Sequence, residues 1–175
     1  MKRKFITLLT MGILVFSATS ITSANNITSD NTDFPQEIMN EDPNATMTII
    51  KNEENNPNSR VFVGKNLVNI KIDQLSSGNI ITSRNQYEIS PTDVPSKKVG
   101  VEYSSNVARQ TVGICYYDGS SGKYVSEGST ATNTTSGAVS FKVNFSSNVK
   151  HHFAFVKNTN SGLTIKNAKF NFIGM

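Results

Sequence analysis

The strongest constraint on the fold is an alternation of apolar and polar residues that begins near Arg60 and runs to the C-terminus. In its clearest stretch Val139, Phe141, Val143 and Phe145 are separated by Ser140, Lys142 and Asn144. Successive side chains of an extended chain point to opposite faces, so this segment has one apolar and one polar face, as a half-buried strand requires. The same period appears in Val68, Ile70 and Ile72, and in Val99, Val101 and Tyr103. Further strands are expected at 61–63, 80–82, 87–89, 111–117, 123–126, 151–156, 163–165 and 169–173. Turn-forming runs separate them, among them Ser90-Pro91-Thr92-Asp93 and Asp118-Gly119-Ser120-Ser121-Gly122. No window of helical length carries an apolar stripe. Residues 59–175 are therefore expected to form one all-β domain, a single antiparallel β-sandwich in the immunoglobulin-like or jelly-roll style. A chain of this length supports one core and not two.

One short echo lies within this domain. Tyr103-Ser104-Ser105-Asn106-Val107 returns as Phe145-Ser146-Ser147-Asn148-Val149. Each copy follows an alternating segment and precedes another, so both read as hairpins turned by Ser-Ser-Asn.

The N-terminus reads differently. Lys2, Arg3 and Lys4 precede an apolar run from Phe5 to Phe16, and Thr22 and Ala24 occupy the small-residue positions of a cleavage site before Asn25. This is the pattern of a secretory signal peptide over residues 1–24, cleaved after Ala24. The run falls short of the roughly 20 residues that a membrane-spanning helix needs. The chain has one cysteine, Cys115, so no lipid-modified cysteine follows the apolar run. The expected destination is extracellular, with no transmembrane segment in the mature form.

Charge divides the remainder. The whole chain carries 17 basic and 13 acidic residues, and three of the bases lie in the signal, which leaves 14 against 13, or +1. Residues 25–58 hold seven acids (Asp30, Asp33, Glu37, Glu41, Asp42, Glu53, Glu54) against Lys51 alone. They are also rich in Asn, Thr and Pro and lack a sustained apolar period, so too little surface is available for burial to offset ordering of the chain. We read them as a flexible acidic leader in which Thr46 to Lys51 alone has the pattern of an edge strand. Residues 59–175 hold 13 bases against six acids, and no acid follows Gly128.

Recognised chemistry is scarce. A lone thiol in an exported chain forms no internal disulfide, so the fold stands on its core. A cysteine nucleophile needs a histidine base, and of the adjacent His151 and His152 only one side chain can share a face with Cys115. The same geometry keeps the pair from holding one metal ion, and no third ligand accompanies it at a metal-binding spacing. The six acids of the domain show no paired-carboxylate spacing, and nucleophile elbows and phosphate-binding glycine loops are absent from the sequence. These features favour a protein that is not an enzyme and has no cofactor.

Two surfaces are candidates for binding. A turn from Asp118 to Lys123 places Tyr117 opposite Tyr124 and Tyr116 opposite Val125. Val112, Ile114, Tyr116 and Val125 then face the core, while Tyr117, Tyr124, Cys115 and Ser126 share the other face, where two tyrosines can stack on a ligand. The second candidate is the set Lys142, Lys150, Lys157, Lys166 and Lys169, whose polyanionic partner outside a cell is an anionic wall polymer, a polysaccharide or another surface protein. Nucleic acid does not fit this compartment. In composition the chain resembles the small exported proteins of Gram-positive bacteria, a likeness that carries no residue-level motif. The expected function is that of a secreted, non-catalytic envelope or extracellular binding module. The alternative is a secreted antagonist, a toxin, bacteriocin-like protein or inhibitor, whose acidic pro-segment masks a basic body.

Overall fold

A computed structural model of the chain describes residues 41–51, 61–76, 79–157 and 164–175. The expected signal peptide, residues 25–40 and 52–58 of the expected leader, and the expected turns at 77–78 and 158–162 lie outside these residues.

Among the described residues there are nine strands and no α-helix: β1 (Thr46–Lys51), β2 (Lys65–Leu75), β3 (Ile80–Thr82), β4 (Lys98–Ser104), β5 (Gln110–Asp118), β6 (Lys123–Thr132), β7 (Ser136–Lys142), β8 (His151–Lys157) and β9 (Ile165–Gly174). They form two sheets, one ordered β1-β2-β9-β4-β7 and the other β3-β8-β5-β6, with every neighbouring pair antiparallel. Only β1–β2 and β5–β6 are consecutive partners; every other connection passes from one sheet to the other.

The alternating residues face each other across the two sheets. Phe153 and Phe155 of β8 meet Phe172 and Phe170 of β9, with ring centroids 4.3 and 4.7 Å apart. Phe155 also meets Phe172 edge-on at 5.7 Å. Val68, Ile70, Ile72, Val99, Val101, Val112 and Ile114 are fully buried in the same cluster, as the period-two reading requires. Aromatic pairs in these tilted arrangements add to the gain from area burial. Thr46–Lys51 does pair along the edge of the five-stranded sheet, opposite β2, and Met47 enters the core.

Several local expectations change. Val61–Val63 is not a strand; the Phe62 ring instead lies against Gly100, where an added Cβ would come within 2.6 Å of it. Tyr87–Ile89 contributes only a single bridge, Ile89 to His151. Ile165 and the segment 169–173 belong to one continuous strand, β9, which accommodates Asn167 at φ 52°; residue 163 of the expected 163–165 strand lies outside the described residues. Neither Ser-Ser-Asn segment turns a hairpin. The first carries the chain from β4 to β5 and the second from β7 to β8, so both cross between sheets. Asn106 anchors the first crossing, donating to the Thr164 carbonyl and accepting from the Lys166 N–H.

The β5–β6 ladder contains the irregularity on which the site depends. Ile114 faces Gly128 and Cys115 faces Ser126, so Glu127 is one residue too many on β6. This is a β-bulge, which interrupts alternation and re-aims the extra side chain. Gly128 follows because the carbonyl of Lys142 stands 2.0 Å from where a Cβ would be, space that no other residue type leaves.

Candidate functional site

The Asp118 hairpin has the register read from the sequence: Asp118 faces Lys123, Tyr117 faces Tyr124, Tyr116 faces Val125 and Cys115 faces Ser126. Asp118 holds the turn by accepting from Ser120 N–H and the Ser121 hydroxyl. The Tyr117 and Tyr124 rings meet edge-on at 5.2 Å. They are not an open stacking platform. The Arg84 guanidinium lies 3.7 Å from the centre of the Tyr117 ring, a cation–π contact, and Tyr124 donates its hydroxyl to Glu41 at 2.5 Å. Thr82 donates to the same Glu41 oxygen. Burial, and then the Glu41 carboxylate, hold the Tyr124 hydroxyl above its ordinary range, so it remains a donor. Thus two acids of the leader, Glu41 and Asp42, dock beside β3: Asp42 donates its N–H to the Ile80 carbonyl and accepts from Ser76 N–H.

The five lysines divide among several places. Lys142 lies opposite Lys98 in the β4–β7 ladder, and Lys169 lies opposite Lys71 in the β2–β9 ladder. By alternation along β4 both pairs share the face of the five-stranded sheet turned away from the phenylalanines. Lys150 lies outside that face and pairs with Glu88 at 3.1 Å. Lys157 ends β8 in the other sheet, opposite Gln110, and Lys166 lies near the start of β9 beside the Asn106 crossing. Among the described residues Lys142, Lys98 and Lys169 have no ion-pair partner, whereas Lys71 pairs with Asp73 at 2.5 Å.

Cys115 and His152 are directly paired between β5 and β8 and so share a face. The thiol is fully buried and packs with Ile80, Ala154 and Val156. Burial above all, then the Glu127 and Glu41 carboxylates, push its pKa up, which keeps it protonated and a poor nucleophile. Burial also holds the His152 imidazole below its usual range, and its Nδ1 lies 3.3 Å from the Tyr87 carbonyl. We expect Cys115 in the native protein to resist a thiol reagent such as DTNB and to react stoichiometrically once denaturant unfolds the domain. Rapid labelling of the native state would contradict the buried position.

Sequence reasoning missed the other histidine's partner. His151 points to the opposite face from His152, toward the interior, and its Nδ1 lies 2.5 Å from Oε2 of Glu127. The second carboxylate oxygen of Glu127 accepts the Ser146 N–H at 2.6 Å. The Glu127 side chain is 1% exposed and that of His151 5%. Phe145 packs edge-on against the imidazole, centroids 4.8 Å apart. No sequence spacing announces this pair, because 23 residues separate its members and the bulge that turns Glu127 inward has no motif.

His151 also lines a cleft of about 640 Å³. One wall comes from the turn after Ile89, with Ser90, Pro91, Val94 and Lys97; the other comes from the second Ser-Ser-Asn segment, with Ser147, Asn148 and Val149. Ser90 caps the short 3-10 turn Pro91–Asp93, accepting from Thr92 N–H while Asp93 accepts from Ser90 N–H. Lys97 and Asn148 both adopt left-handed backbone conformations, φ 54° and 63°. Asparagine does so readily, but lysine rarely, and such conformations concentrate where a fold holds a ligand. Among the described residues no group of three metal-ligating side chains comes together, and no helix is long and apolar enough to cross a membrane.

Comparison with family models, with curated proteins and with solved structures finds no match to this chain, so its own geometry carries the functional reading.

Proposed function

We propose that this is a secreted, non-catalytic binding module, its two sheets packed as a β-sandwich, that holds an extracellular anionic polymer against its five-stranded sheet. The observation that carries the reading is the pair of cross-strand lysine contacts, Lys98 with Lys142 and Lys71 with Lys169. Like charges directly opposite on a sheet destabilise it, and with Lys71 already paired with Asp73, Lys98, Lys142 and Lys169 are the cations of this face that favour an anionic partner. Along β4 the two pairs are six residues apart, about 20 Å at strand spacing. That separation suits a chain of anionic groups better than a single small anion. Ile50, 56% exposed, lies on the same face, and Val63, 94% exposed, belongs to the segment that crosses it, giving the surface an apolar component. Among the described residues, the leader acids Glu41 and Asp42 engage Tyr124, Thr82 and Ser76 rather than these lysines, so they lend no support to the antagonist reading with a masked basic body.

The test is retention of residues 25–175 on isolated Gram-positive cell walls at two salt concentrations. Binding should weaken at high salt, where exposed charges are screened. The double variant Lys142→Ala/Lys169→Ala should lose about 30-fold in affinity, at about 1 kcal/mol for each lysine near an anionic surface. Lys123→Ala/Lys150→Ala, which removes a lysine at the hairpin tip of the other sheet and one already paired with Glu88, should change it far less. Equal losses in both double variants would overturn the assignment to this face.

A further inference from the structure

The Glu127–His151 pair is more elaborate than the fold requires. An apolar pair of similar volume fills an interior without the desolvation that a buried carboxylate incurs. Here a β-bulge turns the carboxylate inward, Ser146 N–H and His151 Nδ1 saturate it, and Phe145 holds the imidazole ring edge-on. With Nδ1 engaged by Glu127, Nε2 is the ring nitrogen left to a ligand. A carboxylate that fixes one nitrogen of a histidine so as to present the other is the arrangement by which proteins orient functional imidazoles.

The cleft beside it has the size of a small-molecule site. Ile89, Val94, Phe145 and Val149 give it an apolar lining, and Lys97 contributes the cation, with no ion-pair partner among the described residues. Glu88, at the rim, is already paired with Lys150. The charge open to a ligand is therefore positive, the imidazole supplies one oriented polar contact, and Ser90, Ser147 and Asn148 add neutral polar groups to the apolar lining. We propose that the cleft binds a carboxylate carried on an apolar body, the carboxylate against Lys97, the apolar group against Val94, Phe145 and Val149, and a donor of the ligand, such as a peptide N–H, against His151 Nε2. Such a group is found at a peptide C-terminus with an apolar last residue and in free aryl or alkyl acids. This site is separate from the lysine face and does not depend on it.

Titration of residues 25–175 with N-acetylphenylalanine, its C-terminal amide and 3-phenylpropionate, followed by NMR of the two histidine ring resonances, tests the assignment. We expect N-acetylphenylalanine to shift the His151 resonances saturably while those of His152 stay in place. The amide should bind about tenfold more weakly, the worth of one charge-assisted hydrogen bond. Lys97→Asn, which removes the ammonium but tolerates the left-handed backbone, should cost the carboxylate a similar factor and leave the amide unchanged. Lys123→Asn at the hairpin tip serves as the control. Tighter binding of N-acetylphenylalanine than of phenylpropionate identifies a peptide terminus as the source, and equal binding identifies free apolar acids. Acid and amide binding alike, or His151 resonances that stay fixed with all three probes up to about 10 mM, a range that covers weak sites, would overturn the proposal.

Discussion

Glu127→Ala is expected to lower the unfolding free energy by about 3–5 kcal/mol, since it leaves two hydrogen-bonding groups without partners at about 1–3 kcal/mol each and empties the space of the side chain. The loss is large because the substitution strands two groups at once. The half-buried Ser146 N–H loses its acceptor at 2.6 Å, and the His151 ring, whose side chain water hardly reaches, loses the carboxylate at 2.5 Å. Glu127→Gln should cost less. Its amide oxygen keeps the Ser146 bond, and its amide nitrogen can donate to Nδ1 once the imidazole carries its proton on Nε2. Urea unfolding of the two variants, of His151→Phe and of Glu127→Ala/His151→Phe gives a coupling energy. The double variant should recover part of the single loss, because it removes the stranded imidazole and leaves only the Ser146 N–H without its acceptor. A loss below about 1 kcal/mol for Glu127→Ala would mean that the pair is solvated and the bulge serves another end.

Phe155→Ala is expected to cost a similar 3–5 kcal/mol, the usual range for deleting a buried phenylalanine ring. Phe155 is fully buried and touches both Phe170 and Phe172, so its removal opens a void where the two sheets meet. Phe170→Ala should be comparably severe, and the double variant less severe than the sum, because both substitutions empty the same space. Tyr117→Ala provides the contrast: its ring is half-buried and its contacts are Tyr124 and Arg84, so we expect about 1 kcal/mol. Chemical denaturation monitored by circular dichroism measures all four. Equal losses for Phe155→Ala and Tyr117→Ala would contradict a core centred on the phenylalanines.

Much of this core was legible in the residues alone. Val68, Ile70, Ile72, Val99, Val101 and Phe141 fall on buried faces because strand geometry assigns alternate residues to opposite sides wherever the chain is extended. The Tyr117–Tyr124 and Cys115–Ser126 pairings were equally accessible, since a short turn at Asp118 leaves little freedom of register. What the turn cannot reveal is what lies above the tyrosines. Arg84 and Glu41 come from segments more than thirty residues away in sequence, and they cover a surface that the local pattern leaves open.

The Ser-Ser-Asn segments show where local reading stops. Each lies between two alternating segments, as a hairpin turn does, yet each joins different sheets, because β4 pairs with β7 and β9 and leaves β5 to β6 and β8. Strand alternation is a property of two neighbouring residues, whereas the choice of partner depends on how all the apolar faces are buried together. The sequence by itself therefore determined the β class, the core faces and the Asp118 hairpin. The tertiary structure alone decided the sheet order, the lysine pairs on one face, and the extra residue in β6 that brings Glu127 to His151. A bulge leaves no trace in composition or period; only the partner strand, one residue shorter across the same span, makes Glu127 the residue that turns inward.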